Sequence, residues 1–422
     1  MRVLITTLGS RGDVQPYVAL GAGLQRAGHR VTLSTAARFS PLIEGHGLGT
    51  GPTTDGLLDL LDSDLGKGAV ESLSGLRTAA RRLPALVRAA GPIQRDLVAD
   101  SWTAAQEARP DVVVYHPKAY WGPAFADALG VPVVLAPLQP FFVATGAWPA
   151  MGLPALPLGP GYNRLTHRAV RGLTALGTDR YLRTWRRAHG VPDRPRGSTI
   201  LDTPRGRPIP VVFGYSPSVV PPPDDWPSHV TTAGFWTLDE PDWAPPRALE
   251  AFLDAGPPPV YVGFGSMAGR SPAAKARAVV GALGRAGVRG VLATGWGGLD
   301  AADLPDSVFA IDQAPHDGLF PRCAAVVHHG GAGTTAAGLR AGRPTVVCPF
   351  FGDQPFWGRR VQALGVGPAP VPQKALTAER LAAAVRQAVT SDGLRQRAAD
   401  LGRRLRAEDG VGVAVRAIEA AG

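Results

Sequence analysis

Short apolar runs alternate with helical patterns along most of this chain, and this alternation restricts its fold more than any other feature. A run that is apolar throughout indicates a strand buried on both faces, and such strands pair in parallel when helices separate them. Four runs of this kind occupy the first half: RVLITT, HRVTLST, DVVVY and VPVVLAP. Five more occupy the second half: PVYVGFGS, VRGVLATG, SVFAIDQ, AAVVHHG and PTVVCPF. The pattern therefore predicts two doubly wound parallel sheets.

A proline-dense stretch separates the two halves. Residues 215–246 can neither continue a helix nor form a central strand, which is typical of a linker. The chain has 422 residues, more than one hydrophobic core usually organises. We therefore predict an α/β protein of two Rossmann-like domains that face a cleft. The predicted segments are a first domain over 1–214, the linker over 215–246, a second domain over 247–395, and a helical segment over 396–422, whose return to the first domain is one alternative.

The composition narrows the class of protein. Hydrophobic residues make up 45% of the chain, too many for a disordered protein. The two cysteines, Cys323 and Cys348, cannot form a disulfide framework, so we expect a reducing, cytoplasmic location. The net charge of +10 comes mostly from arginine. Because no dense basic run or zinc pattern accompanies it, the charge favours an anionic small substrate, or a weak association with an acidic membrane surface, over nucleic acid.

The loop VVHHGGAGTT carries the strongest signal for chemistry. His328 ends a predicted strand, and Gly331 and Gly333 precede a helical pattern that begins near Thr334. Glycines let a phosphate approach the backbone, and the N–H groups at a helix start hold negative charge. We interpret the loop as a site for a nucleoside diphosphate leaving group that needs no metal. The alternative is a glycine-rich turn with core histidines.

Polar residues also follow the next predicted strand, PTVVCPF. Asp353 and Gln354 come after this strand, so they lie at the same end of the sheet as His328. A carboxylate and an amide together supply acceptors and a donor for sugar hydroxyls. Taken alone, the segment is equally well a polar loop that caps a helix.

A second glycine loop, GFGSMAGR, offers a rival interpretation. It follows a strand, but a dinucleotide-binding fingerprint requires an acidic residue at the end of the next strand, where this chain has VLATGW. A nicotinamide oxidoreductase is therefore disfavoured. We interpret Ser266 as a hydroxyl on the phosphate side and Trp296 as an aromatic wall for a base, with a structural role as the alternative for each.

Asp13 lies just past the first predicted strand, in GSRGDVQP. A carboxylate there accepts a proton from a bound hydroxyl, or it caps the following helix, and the sequence favours neither role over the other. The carboxylates of DSD at 62–64 follow no apolar strand. We therefore expect neither a metal site nor a cofactor.

The motifs GSRGDVQP, HHGGAGTT and DQPFWGRRV resemble those of family 1 glycosyltransferases of the GT-B fold, in the branch of sterol and antibiotic glycosyltransferases. The resemblance covers nearly the whole chain and implies that Asp13 is the catalytic base and that His328 stabilises the diphosphate. It implies that the backbone near Ala314 holds the base of the nucleotide and that His316 lies near the ribose. The implied donor site is Ser266, Trp296, Ala314, His316, His328, Gly331, Gly333, Thr334, Asp353 and Gln354.

Two departures from the plant members of this family bear on the base and the donor. Plant members have a histidine in a G-H-x-x-P setting where this chain has GDVQP, and a glutamate that grips the ribose hydroxyls where this chain has Ala336. The resemblance therefore implies that a dTDP-sugar is as admissible as a UDP-sugar.

The expected activity is inverting, metal-independent transfer of a sugar from a nucleotide sugar to a hydroxyl of a mainly apolar acceptor, such as a natural-product aglycone or a sterol-like lipid. The alternative is a non-catalytic protein that binds nucleotide sugars or a membrane surface. The candidate wall of the acceptor site, for which a core role is equally admissible, is Phe141, Phe142, Trp148 and Met151.

Overall fold

The computed structural model describes residues 1–63, 76–192, 208–240, 243–265, 272–294 and 304–422. Within these residues the first sheet has seven parallel strands, arranged in the order β3-β2-β1-β4-β5-β6-β7. They are β1 (Arg2–Thr6), β2 (Arg30–Ala36), β3 (Gly49–Thr53), β4 (Val112–Tyr115), β5 (Val133–Leu135), β6 (Val211–Phe213) and β7 (Val230–Thr232). The chain runs outward from β1 to β3 and then reverses at β4, so a topological switch point lies between β1 and β4.

Helices cover the faces of this sheet because its strands are apolar on both sides. Val3, Ile5 and Val114 are among the fully buried side chains of its core. The helices are α1 (Arg11–Arg26), α2 (Ser40–Glu44), α3 (Gly56–Asp62), α4 (Leu76–Ala108), α5 (Gly122–Leu129) and α6 (Gly159–Ala188). The first helix begins at Arg11, so Asp13 lies in its first turn.

The second sheet has five parallel strands in the order β10-β9-β8-β11-β12 within the described residues. They are β8 (Val260–Gly263), β9 (Gly290–Ala293), β10 (Val308–Ile311), β11 (Ala325–His328) and β12 (Thr345–Val347). The helices are α7 (Arg247–Asp254), α8 (Pro272–Ala286), α9 (His316–Leu319), α10 (Ala332–Arg340), α11 (Gln354–Ala363), α12 (Ala378–Thr390) and α13 (Asp392–Ala407). The chain reverses between β8 and β11. The two parallel sheets confirm the predicted α/β fold class.

The chain forms two compact units. The first contains Met1–Leu238 and Asp409–Gly422, and the second contains Asp239–Glu408. The edge strand β7 lies within the segment predicted as a linker, and its hydrogen bonds to β6 keep that part of the chain in the first unit. The last helix, α14 (Gly410–Glu419), packs in the core of the first unit, where Val415 and Ile418 are buried. No helix among the described residues is both long and apolar enough to cross a bilayer.

Candidate active-site residues

The switch point of the first sheet brings a carboxylate, an imidazole and an ammonium group together. Thr6 at the end of β1 pairs with Tyr115 at the end of β4, so the residues that follow these two strands are neighbours. Asp13 follows β1 in the first turn of α1, and His116 and Lys118 follow β4. Ligands of open parallel sheets bind at such a crevice.

Both oxygens of Asp13 have partners. Lys118 Nζ donates to Oδ1 at 2.7 Å, and the backbone N–H of Ser10 donates to Oδ2 at 3.0 Å in a capping box at the start of α1. Gly9, at φ +135°, lies so close that a Cβ there would be 2.2 Å from Asp13 Oδ2. The side chain of Asp13 is 13% exposed. The carboxylate therefore caps the helix and also faces a cation.

Electrostatics keep the Asp13 carboxyl ionised. Burial alone raises its pKa, but the charge of Lys118, the nearby His116 and the hydrogen bonds outweigh burial, so the pKa lies below its ordinary value. An ionised carboxylate accepts a proton from a hydroxyl once that hydroxyl becomes acidic, which occurs as its oxygen forms a new bond. This geometry is compatible with both roles that the sequence left open for Asp13, that of a base and that of a helix cap.

His116 is a buried neutral ring beside Asp13. Its Nδ1 accepts a hydrogen bond from the backbone N–H of Lys118 at 3.1 Å, so the neutral ring carries its proton on Nε2, which lies 3.8 Å from Asp13 Oδ1. Burial, with a smaller effect of Lys118, lowers the pKa of His116 to about 3. His116 and Lys118 were not among the residues predicted from the sequence, although they follow DVVVY just as the histidine loop follows AAVV.

The switch point of the second sheet holds His328. This residue ends β11 opposite Gly263, the end of β8. Its Nδ1 accepts the backbone N–H of Gly330 at 2.9 Å, so Nε2 carries the proton, and this buried Nε2 has no acceptor within hydrogen-bonding distance among the described residues. Burial, followed by the effects of His329 and His316, lowers the pKa of His328 well below its ordinary value. The ring is a neutral hydrogen-bond donor.

The start of α10 adds backbone donors beside His328. Gly331 is the N-cap residue, so the N–H groups of the first turn, which include Gly333 and Thr334, have no partner within the helix. No atom of the described residues lies within 4 Å of a Cβ built at Gly333. By contrast, Gly330 has φ +94°, and a Cβ there would lie 2.6 Å from Val347. Gly330 therefore fixes the backbone of the loop, whereas the space beside Gly333 is open.

Asp353 and Gln354 lie beside this loop, past the end of β12. A Cβ on Gly330 would lie 3.2 Å from the backbone oxygen of Gln354. Asp353 occupies the N-cap position of α11, but its Oδ2 accepts from Trp357 Nε1 at 2.8 Å rather than from the backbone. Gln354 Oε1 accepts the N–H of Phe350 at 2.7 Å. Their role toward a sugar stays a prediction.

The remaining donor-site candidates are placed as follows. Ala314 packs at the edge of a core cluster in the second unit, and His316, the first residue of α9, stacks on Phe320 with ring centroids 4.3 Å apart. Ser266 and Trp296 lie outside the described residues.

The four candidates for the acceptor wall follow β5 in the first unit. Phe141 and Phe142 are partly buried. Trp148 donates from Nε1 to the Pro140 carbonyl oxygen at 2.8 Å, and Met151 is 40% exposed. Trp148 thus has a structural bond, whereas Met151 is available to a ligand.

Comparison with known proteins gives a family for both halves. Residues 3–147 match the glycosyltransferase family 28 N-terminal domain, and residues 291–411 match the C-terminal domain of the erythromycin biosynthesis protein CIII-like family. Sterol 3-beta-glucosyltransferases of Aspergillus fumigatus and Arabidopsis thaliana are each 37% identical over 99% of this chain. The chain spans 30% of the length of the Aspergillus protein and 65% of the Arabidopsis protein.

Solved structures show the same fold. The glycotransferase of kitacinnamycin aligns with a TM-score of 0.73 at 22% identity, covering 99% of this chain and 98% of that one. The glycosyltransferase VinC, solved in complex with dTDP, aligns with a TM-score of 0.66 at 22% identity over 100% of both chains. From its two matched domains, its sterol glucosyltransferase relatives and its pair of parallel sheets, the chain belongs to the family 1 glycosyltransferases of the GT-B fold.

Proposed function

We propose that this protein transfers a sugar from a nucleotide sugar to a hydroxyl of a lipophilic acceptor, with inversion and without a metal. The observation that carries the proposal is the neutral ring of His328, whose buried Nε2–H, beside the open start of α10, has no acceptor in the part of the chain that the structure describes. Fixed donors of this kind stabilise negative charge that develops on a leaving group. A diphosphate carries such charge.

The proposed reaction is a single displacement. The acceptor oxygen forms a bond to the anomeric carbon, while the bond from that carbon to the diphosphate oxygen breaks and its electron pair leaves with the diphosphate. Asp13 takes the proton of the acceptor hydroxyl. His328 and the first-turn amides of α10 donate hydrogen bonds to the departing diphosphate. Because the hydroxyl acidifies as its bond forms, a carboxylate with a lowered pKa is sufficient as the base.

The proposed donor is a UDP- or dTDP-sugar. Ala336, buried on α10, offers no carboxylate to a ribose hydroxyl, so the site has no side chain there that distinguishes the two nucleotides. The structural likeness to VinC, which was solved with dTDP, supports including dTDP. The sterol glucosyltransferase relatives support a lipophilic acceptor such as a sterol-like lipid, and the antibiotic glycosyltransferase folds support a natural-product aglycone.

A panel of nucleotide sugars tests this proposal. UDP-, dTDP- and GDP-sugars are added singly while the melting temperature is followed, since a ligand that binds the native state raises it. We expect UDP- or dTDP-sugars to raise the melting temperature, and transfer to a lipophilic acceptor to persist in excess EDTA. Absence of a shift with every nucleotide sugar contradicts the donor site. Loss of transfer in EDTA, restored by magnesium, contradicts the metal-independent mechanism.

A further inference from the structure

One segment of the first unit concentrates the exposed apolar side chains. Of the eight large apolar side chains exposed among the described residues, six lie between residues 151 and 173. We call them the leucine surface: Met151, Leu153, Leu156, Leu158, Leu165 and Leu173. Leu165 and Leu173 are 62% and 69% exposed. Single exposed leucines are ordinary, but such a cluster marks a site of interaction.

The local fold keeps this surface exposed. The loop before α6 packs against one face of the helix, where Thr166 and His167 are buried: the N–H of Ala150 donates to Thr166 Oγ1 at 2.9 Å, and His167 Nε2 contacts the Trp148 carbonyl oxygen at 3.1 Å. Leu165 and Leu173 are two turns apart on the other face. The bonds on the inner face therefore fix the orientation of the outer leucines.

The same segment carries a net positive charge. Between residues 151 and 173 the sequence has three arginines, Arg164, Arg168 and Arg171, and no carboxylate. Arg168 is exposed and lies one turn from Leu165 on α6. Arg164 Nη2 contacts Asp225 Oδ2 at 2.9 Å and is half exposed. A partner for this surface must therefore accept apolar side chains and carry negative charge.

We propose that the leucine surface docks the protein onto an anionic membrane surface. A helix with leucines and arginines on its exposed side lies in the plane of the interface, with the leucines among the acyl chains and the arginines at the phosphates. A second copy of this chain would bring like charges together, so charge complementarity favours the lipid surface. The docking is measured without any donor or acceptor, and the test leaves Met151 unchanged because this residue is also a candidate for the acceptor wall.

Vesicle sedimentation tests the proposal. The whole protein is mixed with vesicles of phosphatidylcholine, or of phosphatidylcholine with phosphatidylglycerol, at low and high salt. We expect sedimentation with the anionic vesicles, weakened by salt. The double variant Leu165→Ser/Leu173→Ser should lose about tenfold in partitioning for each leucine removed. The variant Arg168→Gln should bind anionic vesicles more weakly than the wild type and should respond less to salt.

The matched control is Leu61→Ser, because Leu61 is 42% exposed on α3, outside the leucine surface. It should sediment like the wild type. Melting temperatures and turnover with a soluble acceptor should stay unchanged in all variants, so a loss of vesicle binding is separable from a failure of the sugar-transfer proposal. Wild-type protein that stays in solution with anionic vesicles overturns the proposal. So does a wild-type dimer that the double variant converts to monomer without any vesicle binding.

Discussion

Asp13 combines a capping bond with a proposed role as base, and the substitution Asp13→Asn separates the two. An amide still accepts the Ser10 N–H, and the half-exposed Lys118 stays hydrated, so the melting temperature should change little. An amide has no usable basicity, and turnover should fall by about one hundred to ten thousand fold. Turnover, nucleotide affinity and melting temperature are measured together. Near-normal turnover would refute the base.

Lys118 positions and ionises Asp13, so its removal should change the pH profile. Without the ammonium group, burial dominates and the pKa of Asp13 rises. In Lys118→Met the acidic limb of the kcat/KM profile should therefore move to higher pH. Lys118→Arg keeps a cation and should leave the limb close to its original position. If the acidic limb of the kcat/KM profile lies at the wild-type pH in both variants, Lys118 has no influence on the pKa of Asp13.

His328 is expected to act through its Nε2–H. In His328→Ala this donor is lost, and turnover should fall about one hundredfold or more, together with weaker binding of UDP or dTDP. His328→Gln places an amide N–H in a similar position and should retain more activity than alanine. Since both substitutions remove the bond to Gly330, equal activity in the two variants would argue for a structural role alone.

At the residue scale the sequence predicted the histidine loop, because glycines after a buried strand are a local signal. It did not predict the contact between Lys118 and Asp13, because these residues are distant in the chain and meet only through the pairing of β1 with β4. Arg11, the cation nearest to Asp13 in the sequence, donates from Nε to Gln15 on the same helix.

The turn between β11 and α10 contains two glycines that should respond in opposite ways to alanine. Gly330→Ala places a Cβ against Val347 at positive φ and should destabilise the fold by about 1 to 3 kcal/mol. Gly333→Ala adds a methyl group in open space at a helix start, so stability should be kept while nucleotide binding weakens. Melting temperatures and titrations with UDP and dTDP check this pair. Unchanged binding in Gly333→Ala would mean that no phosphate approaches there.

At the scale of elements, apolar runs predicted all five strands of the second sheet and the four central strands β1, β2, β4 and β5. The strands β3, β6 and β7 were missed. The sequence of β3, GTGPT, has two glycines and a proline, which indicate a turn, and it is a strand only because it pairs with β2 at the sheet edge.

Buried neutral histidines in both units should make the whole molecule sensitive to acid. The pKa is lowered to about 3 for His116 and to about 4 for His329, chiefly by burial, whereas both rings take up a proton near their ordinary pKa once the chain unfolds. The free energy of unfolding is therefore highest above the pKa of histidine in the unfolded chain, about 6.5, and it falls as the pH drops below that value. At about pH 5 the loss should be about 2 kcal/mol for each ring. A melting temperature that is constant between about pH 7.5 and pH 5 would contradict this.

The return of α14 to the first unit makes the second unit an insertion between Leu238 and Asp409. The sulfur of Met1 lies near Gly422, since a Cβ on Gly422 would be 2.8 Å from it. A circular permutant that joins residue 422 to residue 1 by a short peptide and opens the chain between Glu408 and Asp409 would therefore contain each unit as one continuous stretch. Every strand would keep its neighbours, and a single covalent crossing would remain between the units. In that arrangement either unit can be replaced as one continuous segment without interrupting the other unit.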